Sequence, residues 1–181
     1  MEKRSGPPDG CRWIGKRRYY PYRKKCGGCR GTRVLVGIGG NIGDVPRRFD
    51  KLWIALSAQK GIETVASSEI LLNPPFGYAD QPDFYNAVIE LVTKLTPMQL
   101  LFRLQEIERR FGRRRSFPNA PRSLDLDILF YGNTRVGRRR LVIPHPGWRS
   151  RDSVLLPLMK LKGSRWLKRL SKRRHPQKHS I

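Results

Sequence analysis

Residues 34–56 read VLVGIGGNIGDVPRRFDKLWIAL, and this stretch decides the expected fold. The apolar run from Val34 to Ile38 is typical of a buried strand. A Gly-rich turn ends at Asp44, and Pro46 then suits the first turn of a helix. Apolar residues at the spacing of one helical face follow, namely Phe49, Leu52, Trp53 and Leu56. The stretch therefore predicts a strand, a turn and an amphipathic helix.

The same periodicities predict the elements that follow along the chain. Strands are expected over residues 62–72, 84–95, 124–131 and 141–143, a second helix from Pro97 to Gly112, and a last short helix over 150–161. The order is βαββαβ, followed by a hairpin and a helix. This order predicts an α+β fold of the ferredoxin-like, split βαβ type, with two helices on one face of an antiparallel sheet.

The charge of the chain is concentrated at its two ends. The protein has 181 residues and a net charge of +24, of which residues 1–33 carry +9 and residues 162–181 carry +8. We therefore expect a basic, disordered N-terminal extension over 1–33, a folded domain over 34–161 and a basic tail over 162–181. A sequence this basic suggests a polyanionic partner, either a polyphosphate or a nucleic acid.

The three cysteines, Cys11, Cys26 and Cys29, lie in the N-terminal extension and cannot form a disulfide framework. A structural zinc site needs four ligands, and no histidine lies nearby to complete one. A solvated basic segment is the favoured interpretation, with zinc binding the alternative. No apolar run is long enough to span a bilayer, and no secretory signal is visible. These features predict a cytoplasmic location.

The segment from Arg122 to Leu129, RSLDLDIL, holds the most informative chemistry. Side chains alternate along a strand, so Asp125 and Asp127 share one face while Leu124, Leu126 and Ile128 share the other. Two carboxylates about 6–7 Å apart along a strand can hold Mg²⁺ together with phosphate oxygens. A polar strand face turned to solvent is the alternative, but the surrounding charges are arginines. We therefore favour a metal site.

Basic side chains flank this strand. The loop from Arg113 to Arg122 can place guanidinium groups on polyphosphate oxygens, and Arg138–Arg140 forms a second cluster on the predicted hairpin. Solvated surface arginines are the alternative for both. His145, held between Pro144 and Pro146, could donate to a phosphate or adenosine group or could be structural.

Five motifs, in order and at the right spacing, resemble the 6-hydroxymethyl-7,8-dihydropterin pyrophosphokinase family over residues 34–161. They are the turn Gly39-Gly40-Asn41-Ile42-Gly43-Asp44, the pair Asn73-Pro74-Pro75-Phe76-Gly77 with Asp80 to Asn86, the helix segment Gln105 to Arg113, the run Pro121 to Ile128, and Ile143 to Pro146 with Arg151 and Leu156-Pro157-Leu158.

The resemblance implies transfer of a pyrophosphoryl group from ATP to the pterin hydroxymethyl group, with release of AMP. It implies two Mg²⁺ ions on Asp125 and Asp127, and arginines of a mobile loop, Arg113 and Arg122, on the phosphates. The implied nucleotide contacts are Gln105, Glu108, Ile128, His145 and Arg151. The implied pterin pocket is Asn73, Pro74, Phe76, Phe84 and Asn86, with the ring stacked on Phe84.

The sequence departs from the family pattern at two aromatic positions. The loop has Asn119-Ala120-Pro121 where the family commonly has a tryptophan, which leaves Phe117 as a substitute. Ser153 stands where an aromatic residue often closes the pterin pocket, with Trp148 nearby.

Three alternatives stay open at this point. A basic RNA-binding protein of ribosomal type could share the fold, although acidic residues interrupt any basic face of the central domain. A catalytically inactive relative could act as a scaffold, although both carboxylates and both loop arginines are present. The basic ends of an enzyme could also make weak contact with nucleic acid or an anionic surface.

Overall fold

The computed structural model describes residues 7–24, 30–114 and 120–161. Within these ranges the strands are β1 (Arg12–Trp13), β2 (Tyr22–Arg23), β3 (Thr32–Gly40), β4 (Ile62–Ser67), β5 (Leu71–Asn73), β6 (Phe84–Thr93), β7 (Asp125–Tyr131), β8 (Val136–Arg138) and β9 (Leu141–Ile143). The helices are α1 (Val45–Ser57), α2 (Pro97–Arg110) and α3 (Asp152–Lys160), with a 3₁₀ turn over Pro146–Trp148.

The main sheet runs in the order β1-β5-β6-β3-β7, with β4 also paired to β6 and β2 paired to β4. Every pairing among these strands is antiparallel. Strands β8 and β9 form a separate hairpin. The protein is therefore an α+β fold built on a mostly antiparallel sheet.

Helices cover both faces of this sheet. Leu52 of α1 and Leu104 of α2 pack with Val36 of β3 in the larger core. On the opposite face, Leu158 of α3 packs with Leu35 and with other apolar residues in a smaller core. Two helices share one face, as the sequence predicts, and α3 packs on the second face as a third layer.

Both long helices begin where the sequence predicts, because their first turns are capped. Oδ1 of Asp44 accepts from the backbone N–H of Arg47 at 3.0 Å at the start of α1. Thr96 and Gln99 form a reciprocal capping box at the start of α2. Proline within the first turn loses no helical hydrogen bond there.

One predicted strand is wrong in extent. Residues 62–72 form two strands, β4 and β5, and Ser68 lies between them. The backbone N–H of Ser68 donates to the carbonyl of Val88 at 2.9 Å, and its hydroxyl accepts from the N–H of Val88 at 2.9 Å. A serine side chain thus replaces one backbone group of the ladder, and alternation alone does not reveal this break.

The expected disorder of residues 1–33 is also wrong for the part that the structure describes. β1 pairs with β5, and β2 pairs with β4. Tyr20 is only 1% exposed within the larger core, and its hydroxyl donates to the carbonyl of Phe49 at 3.2 Å. A strand of two residues shows no alternation of apolar and polar side chains. The sequence of this basic segment therefore does not predict β1 and β2.

Several expectations fall outside the described residues. These are the zinc alternative at Cys26 and Cys29, the loop residues 115–119 with Phe117, and the tail over 162–181. Cys11 is described and is a free thiol. Among the described residues, no helix has the length and apolar character needed to cross a bilayer.

Candidate active site

The site lies on the face of the sheet shared with α3, where three strands place their side chains in rows. Gly39 of β3 stands opposite Asn86 of β6 on one side and opposite Asp125 of β7 on the other. Gly37 likewise stands between Val88 and Asp127. Directly paired residues point to the same face, so the rows form a floor with Asn86 on its β6 side and the two aspartates on its β7 side.

The predicted common face of the two carboxylates is confirmed. Leu124, Leu126 and Ile128 are all buried in the larger core beneath α1 and α2. Asp125 is half-buried and Asp127 is exposed on the opposite face.

Gly39 leaves room for the side chain of Asn86. A methyl group on Gly39 would lie 2.8 Å from Oδ1 of Asn86, closer than such contacts allow. Of the glycines in the turn motif, Gly43 has a positive φ of 70°, whereas Gly39 and Gly40 belong to β3. The motif therefore combines one turn glycine with a glycine whose missing side chain forms the floor of the site.

Asp125 lies in a cluster of charges at the start of β7. Nη1 of Arg113 donates to its Oδ1 at 2.5 Å, and Nη1 of Arg122 donates to its Oδ2 at 2.6 Å. Arg113 also donates to Glu108 of α2, whose Oε1 accepts from the backbone N–H of Leu126 at 2.7 Å. Glu108 thus joins the end of α2 to the outer edge of β7.

The carboxylates differ in their surroundings. Burial raises the pKa of Glu108 to about 7, although Arg113 and the N–H of Leu126 favour its ionised form. The side chain of Asp127 reaches solvent, but protein atoms surround it and displace water. This loss of hydration, followed by the charge of Asp125, raises the pKa of Asp127 against the pull of nearby arginines. Two carboxylates that repel one another favour a bound cation.

Asn41 is a site residue to which the sequence analysis assigned no role. It is 4% exposed, and its Oδ1 accepts from the backbone N–H of Arg122 at 2.8 Å. Its Nδ2 donates to Oε1 of Gln81 at 2.9 Å and to the carbonyl of Pro82 at 3.0 Å. The sequence feature that could have identified Asn41 as a site residue is its place within the Gly39–Asp44 motif. Asn41 ties the loop before β6 to the segment before β7.

The predicted pterin residues meet at the β5–β6 side of the floor. Nδ2 of Asn86 donates to Oδ1 of Asn73 at 2.7 Å. The guanidinium carbon of Arg122 lies 5.4 Å from the ring centre of Phe84, within cation–π range. Pro74 and Phe76 lie on the loop after β5, and Phe76 is 78% exposed. Asn73, Phe84 and Asn86 are therefore close together, while Phe76 lies out in solvent.

The predicted nucleotide residues are more dispersed. Gln105 lines a cavity of about 550 Å³ together with Leu101, Phe102, Arg139 and Arg140. Glu108 and Arg113 line a neighbouring groove of about 670 Å³ along α2, which Gln105 also borders. The side chain of Ile128 is 3% exposed and packs in the larger core beneath α1 and α2, on the face opposite Asp127. Successive side chains of a strand point to opposite faces, so the strand that exposes Asp127 buries Ile128.

His145 is oriented by the turn that follows it. Its Nδ1 accepts from the backbone N–H of Gly147 at 3.1 Å, which leaves Nε2 to carry the proton of the neutral ring. Burial, followed by the charge of Arg151, lowers the pKa of His145. Arg151 is bound to the same turn, since its backbone N–H donates to the carbonyl of Gly147 at 3.2 Å. The turn thus presents a neutral N–H donor near a guanidinium.

The closing aromatic of the pterin pocket is not supplied by Trp148 in this structure. The Trp148 ring packs edge-on against Phe130, with centroids 5.0 Å apart, and the guanidinium carbon of Arg149 lies 4.6 Å from the centre of the Trp148 ring. Phe130 lies near the end of β7 away from Asp125. Trp148 is therefore engaged with the smaller core.

The donor set fits Mg²⁺ that arrives with a phosphate ligand. Among the described residues, no three His, Cys, Asp or Glu side chains cluster as a self-sufficient metal cage. Mg²⁺ needs only one or two carboxylates when substrate phosphates and water complete its octahedron. Asp125 and Asp127 meet that requirement.

Comparison with known proteins agrees with this geometry. The model of the 7,8-dihydro-6-hydroxymethylpterin-pyrophosphokinase family matches residues 35–163. The chain belongs to this family. The resemblance identified from the five motifs is thereby confirmed, and nothing found supports the alternative of an RNA-binding protein.

Similar proteins carry the name 2-amino-4-hydroxy-6-hydroxymethyldihydropteridine pyrophosphokinase. The Helicobacter pylori protein is 41% identical over 129 residues, which cover 70% of this chain and 79% of that protein. The Campylobacter jejuni protein is 36% identical over 149 residues, covering 82% and 95%. The Synechocystis protein is 40% identical over 133 residues, covering 74% and 67%.

Proposed function

We propose that the protein transfers the pyrophosphoryl group of ATP to 6-hydroxymethyl-7,8-dihydropterin, which gives the pterin diphosphate and AMP. The hydroxymethyl oxygen attacks the β-phosphorus, the bond from that phosphorus to the oxygen bridging to the α-phosphorus breaks, and the hydroxyl proton is lost. Family membership and the names of relatives, which include a folic acid synthesis protein of Pneumocystis carinii, place the enzyme in folate biosynthesis as a 2-amino-4-hydroxy-6-hydroxymethyldihydropteridine pyrophosphokinase.

One observation carries this proposal. The row Asn86–Gly39–Asp125 places an amide and a carboxylate on one face, two strands apart. Neighbouring strands are about 4.8 Å apart, so the two backbones are separated by about 10 Å. Gly39 has no side chain, so the amide of Asn86 can lie over the strand between them, with its Oδ1 2.8 Å from where a methyl group on Gly39 would be. A flat heterocycle at the amide side and a phosphate chain at the carboxylate side would meet over this glycine.

At the amide side, Asn86 and Asn73 offer hydrogen-bonding groups that match the donor and acceptor edge of a pterin. Their mutual bond holds the two amides in place. The ring of Phe84 supplies a stacking surface. We assign Pro74 and Phe76 to the rim of the pocket, where loop movement would bring Phe76 toward the ring.

At the carboxylate side, Asp125 and Asp127 are the residues that would hold two Mg²⁺ ions. Such ions, when bound, neutralise charge on the triphosphate oxygens and thus favour attack at phosphorus. The residues themselves provide a fixed pair of anionic ligands on one strand, next to the floor of the site.

Two arginines now bound to the carboxylate of Asp125 can bind phosphate oxygens instead. Arg113 and Arg122 bind opposite oxygens of Asp125, and the positive charges of both also act on Asp127. A triphosphate brings competing oxygens of higher charge. We assign both arginines to the phosphates, where they stabilise charge as the transferred group moves.

The nucleotide is assigned to the side of the site formed by α2 and the β8–β9 hairpin. Gln105 borders the cavity that reaches Arg139 and Arg140. His145 can donate from Nε2 to an anionic oxygen, and Arg151 adds a charge beside it. Glu108 acts by positioning Arg113, and Ile128 can contribute only backbone groups.

Further proposals concern the whole chain. The segment β3-α1-β4-β6-α2-β7 has the order of a ferredoxin-like split βαβ unit, and we propose that it is one. The domain spans 34–161 together with the N-terminal segment that packs on it, and 162–181 is a basic tail. A cytoplasmic location and weak contact of the basic ends with nucleic acid or an anionic surface remain predictions.

The test is formation of AMP from ATP, dependent on both the pterin and Mg²⁺, by the purified protein. Asp127→Asn and Asp125→Asn should each reduce turnover at least about 100-fold, the scale for removing one electrostatic contact to the transition state. Glu63→Gln is the matched control, since Glu63 is an exposed carboxylate paired with Lys24 at 2.9 Å. Unchanged turnover in both aspartate variants would show that the carboxylates do not serve the reaction.

A further inference from the structure

Strand β5 carries Asn73 and is only three residues long, Leu71–Asn73. It pairs with β6 through Leu71–Asn86, Leu72–Tyr85 and Asn73–Phe84. So short a strand has few hydrogen bonds of its own to hold it. Its second neighbour is β1, through Arg12–Leu72 and Trp13–Leu71. β5 is thereby an inner strand, with a partner on each side.

β1 lies outside the range matched by the family model, which begins at residue 35. It is nevertheless firmly attached to the domain. The backbone N–H of Ile14 donates to the carbonyl of Ile70 at 2.8 Å, which continues the pairing. Nζ of Lys160 on α3 lies 5.1 Å from the centre of the Trp13 ring. Further along the chain after β1, the side chain of Tyr20 is buried in the larger core.

The turn before β1 packs against the rim of the candidate pterin pocket. Gly10 has a φ of 77°, a conformation that favours glycine, and a methyl group on it would lie 3.1 Å from Cγ of Pro74. Extending the β1–β5 register by one residue places Cys11 opposite Asn73. Burial, followed by the charges of Asp152 and Asp83, raises the pKa of Cys11.

We propose that residues 8–13 form the outer wall of the dihydropterin half of the site and position Asn73 and Pro74 for substrate binding. This inference rests on the proposed function. The segment acts through β5, because β1 holds the edge of that strand opposite β6, and through Gly10, because its backbone lies against the Pro74 ring. Residues 8–13 are positioning residues, and the bonding to the pterin stays with Asn73 and Asn86.

The test compares Gly10→Ala with Gly15→Ala in the full chain. Gly15 has no neighbouring atom within 4 Å of an added methyl group, so it is the matched control. Gly10→Ala should raise the KM for the dihydropterin about five-fold, which corresponds to ~1 kcal/mol of binding free energy. The KM for ATP and kcat should match those of Gly15→Ala, whereas the midpoint of thermal unfolding should be lower in Gly10→Ala because alanine is strained at a φ of 77°.

A double-mutant cycle with Pro74→Ala tests the route of the effect. Removing the Pro74 ring should reduce the KM change caused by Gly10→Ala, because the two residues are in direct contact. Additive changes would overturn the proposed contact. If Gly10→Ala does not fold, Arg12→Pro removes one strand N–H without touching Pro74 and should raise the same KM.

The outcomes separate this inference from the proposed function. An active wild-type enzyme whose pterin KM is the same in Gly10→Ala and Gly15→Ala would overturn the role of residues 8–13 alone. A wild-type enzyme that forms no pterin-dependent AMP would overturn both.

Discussion

Nη1 of Arg122 binds Oδ2 of Asp125 at 2.6 Å, so an arginine assigned to phosphate lies on a carboxylate assigned to metal. The two residues are three positions apart on the segment that enters β7. Their side chains are 24% and 17% exposed, which keeps the pair partly shielded from water. If a metal–triphosphate binds as proposed, the Arg122–Asp125 pair breaks, and Asp125 then binds the metal while Arg122 binds a phosphate. The position of Arg122 therefore depends on whether substrate is bound.

Arg122→Ala should lower kcat more than it raises the KM for ATP. The reason is that a contact to the transferred group strengthens as charge moves in the transition state. We expect a loss of about 100-fold in kcat. Steady-state kinetics of AMP formation measure it, with Arg47→Ala as the control, because Arg47 is exposed on α1 on the other face of the sheet. A change confined to KM would instead assign Arg122 to ground-state binding.

Gly39→Ala should impair the pterin side of the site. The added methyl group must displace Asn86, because it would lie 2.8 Å from Oδ1. We expect the KM for the dihydropterin to rise about ten-fold, equivalent to ~1.4 kcal/mol. Gly137→Ala is the matched control, since nothing lies within 4 Å of a methyl group there. Equal kinetics in the two variants would mean that Asn86 is not needed where the structure places it.

Deletion of residues 1–30 should strongly destabilise the protein. It removes β1, β2 and Tyr20, and loss of one buried aromatic side chain alone costs about 3–5 kcal/mol. That is a large part of the 5–15 kcal/mol typical of a domain. Urea unfolding followed by circular dichroism measures the change, with deletion of residues 1–6 as the control. A deletion protein with wild-type stability would contradict the integral role of this segment.

Tyr20 should make folding sensitive to alkaline pH. Burial, followed by the charge of Asp50, raises the pKa of Tyr20 well above 10. The unfolded chain loses this proton near pH 10 while the folded chain keeps it. The contribution of Tyr20 is therefore complete below pH 10 and declines above it, by up to about 1.4 kcal/mol per pH unit.

Tyr20→Phe tests this sign directly. At neutral pH the variant should be less stable by about 1 kcal/mol, because the hydrogen bond to the Phe49 carbonyl is lost. The difference should shrink as the pH rises above 10, since phenylalanine does not ionise. Unfolding curves at several pH values measure it, with Tyr22→Phe at an exposed tyrosine as the control. A constant difference across this range would contradict the burial of the hydroxyl.

Much of the architecture follows from local patterns. The starts of α1 and α2 depend on Asp44, Thr96 and their prolines, which act on the turn that immediately follows them. The common face of Asp125 and Asp127 depends only on the alternation of a strand. Such features are visible in the sequence because the interacting groups are a few residues apart.

Other features depend on contacts between distant parts of the chain. The break between β4 and β5 uses a serine that bonds to a strand twenty residues further on. Asn41 joins loops that are forty and eighty-one residues away. The alternation that exposes Asp127 turns the side chain of Ile128 into the larger core. Matching the motif to the family does not show on which face each of these residues lies.

Short-range spacing in the sequence predicted the starts of the two long helices, the common face of Asp125 and Asp127, and the resemblance to the family. The position of Gly39 between Asn86 and Asp125, and the packing of residues 7–24 against the domain, became visible only in the folded structure. The physical reason is that strand register and the packing of Tyr20 are set by surfaces that meet after folding. No periodicity within a two-residue strand can encode its partner.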